Sequence, residues 1–267
     1  MEKQPSVISL QDARALARSR RLPLKAVEIM LLEQGTVPQR YLRNIGTIGT
    51  EGQVKLLKSC AAVVGAGGLG GTIIELLARM GIGRLIIIDD DRFAEQNLNR
   101  QLMCTEGDIG KFKAAVAARR VRRINSAVTV TAFTQRLTAE NADRLLGGAD
   151  VVLDALDNLS SRFVLETACR RLKVPFVHGG IAGFSGQFMT VFPEDPGLMA
   201  LYGNAGQVPE VGIEVKLGNP TVTPMLIATL QVQEAIKIIT GSGEPVRNRL
   251  IVVDLLTCTV QELEVRR

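Results

Sequence analysis

Short apolar runs alternate with longer stretches of helical periodicity between about residue 60 and residue 180. The apolar runs are the predicted strands, at 61–64, 85–88, 128–133, 151–153 and 176–177. Helices are predicted between them, beginning near Leu69, Lys111, Ala139 and Ser160. Strands that alternate with helices form a parallel sheet covered on both faces. We therefore expect an α/β fold with a doubly wound, Rossmann-like and mostly parallel sheet, which binds its ligand at the carboxyl ends of the strands.

The pattern changes after Gly183. It predicts a strand at 187–192, a helix near 226–239, and strands at 250–253 and 260–265, which extend the sheet in antiparallel fashion. The 26 residues at 194–219 contain five glycines and two prolines. Irregular segments of this length are usually lids or binding loops. We expect this crossover loop to be a mobile segment over the ligand crevice.

The N-terminal part predicts a small helical segment. Ser9 and Asp12 fit a capping box at the start of one helix, and Pro23 and Gly35 fit the start and end of a second. One face of the second helix carries three apolar residues: Leu24, Val27 and Leu31. We expect this face to pack on the main domain or on a second subunit, with a docking site for a partner as the alternative.

Composition indicates the number of domains and the cellular location. The chain has 267 residues, 46% of them hydrophobic and 22% charged, which is typical of a globular protein. We expect an N-terminal extension, 1–39, and one nucleotide-binding domain, 40–267. No stretch approaches the roughly 20 apolar residues that cross a bilayer, and the start has no signal-peptide core. We therefore expect a cytoplasmic protein that does not bind membranes.

Charge and cysteines narrow the classes of ligand. The net charge is +5, but the basic residues are dispersed, so nucleic acid is not expected and an acidic protein partner is suitable. The four cysteines, Cys60, Cys104, Cys169 and Cys258, are far apart. This spacing predicts neither a disulfide framework nor a zinc site.

A glycine-rich turn is the first candidate for chemistry. Residues 65–70 read GAGGLG and stand between a predicted strand and a predicted helix. Gly65 permits the tight turn, while Gly67 and Gly68 leave no Cβ to obstruct a phosphate at the helix N-terminus. Asp89 ends the next strand, where it would bind a ribose. Both ATP and an adenine-containing redox cofactor fit such a turn, so the turn alone does not decide between them.

Three more polar segments, 96–101, 111–113 and 154–158, fall at loop positions around the same crevice. With them the chain resembles, over about 40–265, the ThiF/MoeB/HesA family of adenylyltransferases, which are related to ubiquitin-activating enzymes. The matching pieces are RYLR, GAGGLG, IIIDDD, QNLNRQ, GKFK, LDALDN, GGIAGFSGQ and QVQEAIKIITG.

The resemblance implies an ATP-dependent enzyme that activates the C-terminal glycine carboxylate of a ubiquitin-like sulfur-carrier protein. The products implied are an acyl adenylate and pyrophosphate. The implied pathway is thiamine or molybdopterin biosynthesis or a related sulfur-transfer pathway. Arg100 and Lys113 match the family's phosphate-contacting positions, where they stabilise developing negative charge. Asp157 matches the acidic residue that supports Mg²⁺.

The resemblance also implies nucleotide contacts and an assembly. Asp89, Asn97 and Asn158 match positions that contact the nucleotide, together with the glycines of the turn, Gly65, Gly67, Gly68 and Gly70. Arg43 matches an arginine that reaches into the neighbouring subunit's site, which implies a homodimer with composite active sites.

The chain departs from well-known relatives in its cysteines. It lacks both Cys-x-x-Cys pairs and the cysteine of the crossover loop. No zinc is therefore expected, and the chemistry should stop at the acyl adenylate. His178, the one histidine, is expected to have a structural or crevice-lining role.

Other functions stay open at this point. A nucleotide-binding scaffold without transfer activity fits the absent cysteine, and a Rossmann NAD-dependent oxidoreductase fits the glycine spacing and Asp89 alone. A carboxylate that is not part of a carrier protein is also compatible with the motifs.

Overall fold

The computed structural model describes residues 6–203 and 214–266. Its strands are β1 (Ser6–Ile8), β2 (Thr36–Pro38), β3 (Cys60–Val64), β4 (Arg84–Ile88), β5 (Thr129–Phe133), β6 (Val151–Asp154), β7 (Phe176–Ala182), β8 (Ser185–Val191), β9 (Arg249–Asp254) and β10 (Thr259–Glu264). Its helices are α1 (Leu10–Arg20), α2 (Leu24–Glu33), α3 (Leu42–Lys58), α4 (Gly68–Met80), α5 (Lys113–Ile124), α6 (Ala142–Leu146), α7 (Leu159–Leu172), α8 (Leu198–Tyr202), α9 (Glu214–Leu217) and α10 (Val222–Thr240).

An eight-stranded sheet with the order β10-β9-β8-β7-β6-β3-β4-β5 runs through the described residues. Neighbouring strands from β7 to β5 are parallel, whereas β8, β9 and β10 are added in antiparallel fashion. This confirms the predicted fold class. The order of the strands reverses between β3 and β6, so the loops after these two strands diverge and leave a crevice at their carboxyl ends.

Helices cover both faces of the sheet. One core packs α3, α4, α5 and α10 on the first face, and the other packs α6, α7 and α8 on the second. All five residues of β3 are buried, because this central strand has a sheet neighbour on each side and helices on both faces. This double burial explains why β3 reads as a continuous apolar run.

Helix α10 is long and apolar enough to cross a membrane by length and composition, which differs from the expectation that no stretch approaches that limit. It has 19 residues, and half of its apolar window is buried. It packs against α3, α4, β6, β7 and β8, and it buries Gln231 and Glu234. The contacts identify α10 as a core helix of the main domain.

The N-terminal extension has its own small core. The oxygen of Ser9 accepts the N–H of Asp12 (3.1 Å), which confirms the predicted cap of α1. Strands β1 and β2 form a short parallel pair that the sequence pattern did not predict. The Leu24, Val27 and Leu31 face of α2 packs mainly on α1 of the extension itself rather than on the main domain, because Ala17 of α1 leaves room for Val27 and Leu31.

A buried charge joins the extension to the main domain. Glu28 of α2 is fully buried, and its carboxylate lies 2.9 Å from a guanidinium nitrogen of Arg40. It also accepts the hydroxyl of Tyr41 (3.2 Å), whose oxygen accepts a hydrogen bond from the amide of Asn125 (2.9 Å). Burial raises the pKa of Glu28, while Arg40 opposes the rise. The start of α3 is therefore held by a residue of the extension.

The segment predicted as the crossover loop contains two short helices, α8 and α9. Residues 204–213, on which part of the predicted mobile segment falls, lie outside the described residues. Its start is anchored, because the guanidinium of Arg247 lies 2.8 Å from the Asp195 carboxylate. Its end reaches the crevice, where the carbonyl of Asn219 accepts a hydrogen bond from the Asn99 amide (3.2 Å).

Candidate active site

A polar cavity of about 260 Å³ lies at the carboxyl ends of β3, β4 and β6, where the strand order reverses. Its lining includes most of the residues that the sequence singled out: Gly65, Gly67, Gly68, Asp89, Arg100, Lys113, Asp157 and Asn158. Four cationic side chains and several carboxylates share this lining, a composition suited to a polyphosphate with a metal ion.

The glycine turn after β3 forms one wall of the cavity. Gly65 has a φ of +96°, and a Cβ there would lie 2.3 Å from the carbonyl oxygen of Ala155. The Gly65 N–H donates to the Ile88 carbonyl (2.8 Å), which ties the turn to the end of β4. A residue with a side chain would therefore be both strained and in collision with the loop after β6.

The turn leads into the N-terminus of α4. Gly67 is the N-cap of this helix, which has no side-chain cap, and Gly68 begins it. Both glycines line the cavity, so free N–H groups of the first turn and the positive end of the helix dipole face its contents. Gly70 lies outside the lining and is needed for packing instead. A Cβ on Gly70 would lie 1.9 Å from the Gly65 carbonyl oxygen, so glycine permits α4 to pack onto the turn.

Asp89 connects the turn to the end of β4. One carboxylate oxygen accepts the N–H of Ala66 (2.6 Å) and the other accepts the N–H of Asp91 (2.8 Å). Burial raises the pKa of Asp89, although these two bonds and the nearby Lys113 oppose the rise. The carboxylate lines the cavity, where its remaining lone pairs can accept from a ribose hydroxyl.

The two predicted phosphate-binding cations both reach this cavity. Lys113 is the first residue of α5 and only 8% exposed, with its Nζ 2.8 Å from a carboxylate oxygen of Asp91. Arg100 donates from one Nη to the carbonyl of Gln96 and to the side-chain oxygen of Asn99, each at 2.9 Å. These bonds leave the other guanidinium nitrogens available to a ligand.

The loop after β6 supplies the acidic group. Asp157 is exposed and lines the cavity, and its carboxylate accepts a hydrogen bond from the Asn158 amide (3.0 Å). Asn158 is the N-cap of α7, since its oxygen accepts the N–H of Ser161 (2.9 Å). The cap fixes the loop, and Asp157 stays free to meet a cation.

Besides Gly70, three of the residues considered from the sequence lie outside the cavity lining. Asn97 is buried, and its side-chain oxygen accepts the N–H of Ala94 (2.9 Å), so that it closes a turn. Arg43 is exposed on α3. His178 is fully buried beneath the loop after β6.

The cavity also contains cations that the sequence reasoning missed. Arg162, in the first turn of α7, has an 11% exposed side chain and lines the cavity beside Asn158. Arg136 reaches the opposite side, where it pairs with Asp90 at 3.3 Å. The signal for Arg162 was its place one turn after an N-cap at the end of a buried strand, where helical side chains lean back toward the strand.

The described part of the chain has no cluster of metal-binding side chains. Within residues 6–203 and 214–266 no group of three or more His, Cys, Asp or Glu side chains is placed to hold a metal ion. Cys60, Cys104 and Cys169 are buried and Cys258 is exposed. Burial raises the pKa of Cys60 to about 11, so that this thiol stays protonated near neutral pH. The absence of zinc stays a prediction.

Comparison with known proteins identifies the family. The model of the ThiF family matches residues 41–267. The chain belongs to the ThiF family. This confirms the resemblance seen in the sequence motifs, and the match begins at Tyr41.

Several relatives match nearly the whole family domain. The SAMP-activating enzyme E1 of Haloferax volcanii is 38% identical over 232 residues, which is 85% of each chain. The sulfur carrier protein adenylyltransferase of Thermus thermophilus is 34% identical over 246 residues, 85% of this chain and 87% of that protein. The sulfur carrier protein ThiS adenylyltransferase of Escherichia coli is 37% identical over 210 residues, 77% of this chain and 83% of that protein.

Solved structures agree on the fold. A crystal structure of E. coli MccB with ATP aligns with a TM-score of 0.72 at 24% identity, covering 86% of this chain and 72% of that chain. The crystal structure of PaaA aligns with a TM-score of 0.73 at 20% identity, with 86% and 73% coverage. The doubly wound sheet with its antiparallel extension is thus shared by both structures.

Proposed function

We propose that this chain is an ATP-dependent adenylyltransferase that activates the C-terminal glycine carboxylate of a ubiquitin-like sulfur-carrier protein. The observation that carries this proposal is the convergence of the glycine turn, Arg100, Lys113 and Asp157 on one cavity at the strand-order reversal. Relatives of more than 30% identity are named as activating or adenylylating enzymes of sulfur carriers or SAMP. An NAD-dependent oxidoreductase would have no use for this set of cations around the turn.

The reaction joins a carboxylate oxygen of the carrier to the α-phosphorus of ATP. The bond between that phosphorus and the bridging oxygen breaks, and pyrophosphate leaves with its electron pair. Both reactants are anionic, so the cavity must lower their repulsion. Lys113 and Arg100 supply positive charge, and the N–H groups at the start of α4 supply fixed donors.

Mg²⁺ fits the same donor set. Asp157 is an exposed carboxylate that lines the cavity, whereas Asp89 is committed to the backbone of the turn, and Asp90 and Asp91 pair with Arg136 and Lys113. Mg²⁺ is commonly held by one or two protein carboxylates, with phosphate oxygens and water completing its six ligands. We propose that Asp157 holds the ion, which when bound neutralises charge on the phosphates. Asp157 and Lys113 then orient the triphosphate from two sides.

The chemistry of this chain is proposed to stop at the acyl adenylate. Residues 194–219 contain no cysteine, and the cysteines that the structure describes elsewhere do not line the cavity. The site therefore offers no thiol that could form a thioester between the carrier and the enzyme. The adenylate would be attacked by sulfur from another protein, and the reaction would take place in the cytoplasm, where ATP is supplied.

Carrier-dependent pyrophosphate exchange tests the proposed function. The purified chain should incorporate labelled pyrophosphate into ATP when it is given a small ubiquitin-like protein ending in Gly-Gly from the same genome. The same carrier without its final glycine should support no exchange, because the attacking carboxylate is then displaced from the α-phosphorus by one residue. Absence of exchange with every such carrier contradicts the proposal.

The assembly is proposed to be a homodimer in which Arg43 acts in trans. Arg43 lies in the first half of α3, before a kink at Gly49 (φ 69°), and this half exposes Leu42 as well. An exposed arginine beside an exposed leucine, outside the cavity of its own chain, fits a face that meets a second copy. The two-fold symmetry of a dimer would then bring each Arg43 to the other site.

Mixing two inactive variants tests this arrangement. R43A and R100A should each lose exchange activity, but after unfolding and refolding together they should regain about a quarter of the wild-type activity. Half of the dimers are then mixed, and each mixed dimer has one site with both arginines. Activity that stays at the level of the separate variants would show that Arg43 acts within its own chain or not at all.

A further inference from the structure

The cavity has two chemically different sides. On the β4 and β5 side lie Asp89 and the residues after β5, and on the β6 and β7 side lie Leu156, Arg162 and Ile181. The glycine turn stands between them. With the ribose at Asp89, the β6 side is left for the carboxylate that attacks the α-phosphorus. The end of the crossover segment, Asn219, lines the cavity as well.

Arg162 is the cation of the β6 side. One Nη donates to the carbonyl of Leu156 at 2.5 Å, and its Nε lies 3.2 Å from a carboxylate oxygen of Asp154. That second contact is an ion pair without the alignment of a hydrogen bond, since Nε has no hydrogen-bond partner. The other nitrogen, Nη1, lies beside Gly180, where a Cβ would be 3.6 Å away, and it has no hydrogen bond to the part of the chain that the structure describes.

Asp154 is held by two donors besides this arginine. It is fully buried at the end of β6, and one oxygen accepts the N–H of Leu156 (2.9 Å). The other oxygen lies 2.8 Å from Nδ1 of His178, on the neighbouring strand β7. This same oxygen is the one that faces Nε of Arg162. Nδ1 of His178 and Nε of Arg162 therefore face the same carboxylate oxygen, and only Nδ1 forms a hydrogen bond with it.

His178 is a hydrogen-bond donor to Asp154 as a neutral ring. It is fully buried, and desolvation lowers its pKa, although Asp154 opposes the change. A neutral imidazole beside a carboxylate must carry its proton on the nitrogen that faces it, which is Nδ1. Its other nitrogen, Nε2, then accepts, and it lies 3.4 Å from the hydroxyl of Tyr202 in α8 and 3.5 Å from the amide of Gln187.

We propose that His178 is a positioning residue for Arg162, which receives the incoming carboxylate of the substrate. By occupying one oxygen of Asp154, His178 prevents an aligned hydrogen bond from Nε of Arg162 to that oxygen. The guanidinium is thereby kept from turning toward Asp154, with Nη1 free to meet a second carboxylate. The inference rests on the proposed function, because it assigns the side of that same site from which the carrier's terminus is bound.

The consequence of removing the Nδ1 donor follows from the geometry. The freed oxygen of Asp154 would accept an aligned hydrogen bond from Nε of Arg162, and such a charge-assisted bond is stronger than the present unaligned contact. Arg162 would withdraw from the cavity and bind the carrier's carboxylate less well. ATP binding would change little, because the side-chain hydrogen bonds of Arg100, Lys113 and Asp157 go to residues outside this cluster.

Three substitutions at His178 separate positioning from packing. The amide of asparagine reaches the place of Nδ1, whereas that of glutamine reaches the place of Nε2. H178A and H178Q should raise the carrier's KM in pyrophosphate exchange by about tenfold, the factor expected for one hydrogen bond to a charged group. H178N should restore the carrier's KM to within about threefold of wild type. The affinity for ATP, measured by calorimetry without carrier, should stay within about twofold in all three.

A role in packing alone predicts the opposite order, because glutamine is closer than asparagine to histidine in volume. H178Q that equals or exceeds H178N would therefore overturn the inference, as would H178A with an unchanged carrier KM. Melting curves of each variant show whether the fold is intact, and the comparison of H178N with H178Q remains decisive if H178A does not fold. Absence of exchange by the wild-type chain would contradict the proposed function itself, and this inference with it.

Discussion

Replacing Arg100 by alanine is expected to lower carrier-dependent pyrophosphate exchange by about 100- to 1000-fold, as removal of one preorganised donor does in other enzymes. The side chain is preorganised, because one of its nitrogens donates to Gln96 and Asn99 while the others remain available. It lines the cavity beside the glycine turn, where charge develops as pyrophosphate leaves. The expected loss is therefore mainly in kcat, with a smaller change in the affinity for ATP.

Two further variants make this measurement specific. R100K keeps the charge without the planar fork and should fall between wild type and R100A. R122A is the matched control, since Arg122 is exposed on α5 and has no ion pair within the described part of the chain. Exchange by R100A within about threefold of wild type would be incompatible with a role in the transition state.

Replacing Gly70 by alanine is expected to destabilise the fold and abolish ATP binding together. The new Cβ would lie 1.9 Å from the Gly65 carbonyl oxygen, and since that atom belongs to the backbone, no side-chain rotation relieves the collision. Overpacking of this kind typically costs about 1–3 kcal/mol in the free energy of unfolding. The glycine turn would have to move away from α4, and the phosphate-binding donors with it.

Melting curves and calorimetric titration with ATP measure both effects. For chains of this size the melting temperature falls by about 2–4 °C for each kcal/mol lost. G107A is the control, because Gly107 has an ordinary φ and its Cβ would meet only one atom, at 4.0 Å. A G70A protein that melts like wild type and binds ATP normally would show that the close packing of α4 on the turn has no role in binding.

The sequence located the buried central strands β3, β4 and β6, and it also located β5, β9 and β10, which are partly buried or exposed. For β7 the pattern predicted only residues 176–177, whereas the strand continues to Ala182. The polar and small residues His178, Gly179 and Gly180 interrupt the apolar run. They nevertheless belong to β7, because β8 pairs with them. Glycine is needed at position 179, since a Cβ there would lie 2.4 Å from the side chain of Gln231 in α10. These partners are distant in sequence, so no local pattern could show them.

The site was predictable where it depends on local motifs. The glycine turn, Arg100, Lys113 and Asp157 follow individual strands or begin helices, so their meeting at one crevice follows from the topology. The cluster of Asp154, Arg162 and His178 depends on the pairing of β6 with β7, which places the ends of two strands side by side. The register of strand pairing depends on residues distant in sequence. The sequence therefore gave no indication that His178 lies beside Asp154.

The start of α3 also bears on how the two parts of the chain depend on each other. Glu28 belongs to the extension, whereas its hydrogen-bond partner Tyr41 is the first residue of the family match and its countercharge Arg40 directly precedes it. A chain shortened to residues 40–267 would leave Arg40 without this carboxylate and would uncover the buried face of Leu57, which packs beside Tyr41. The first half of α3, which carries Arg43, would lose its support, and the shortened protein would be less soluble. We therefore expect residues 6–39 to support the start of α3, so that their removal would weaken catalysis although every residue of the cavity is still present.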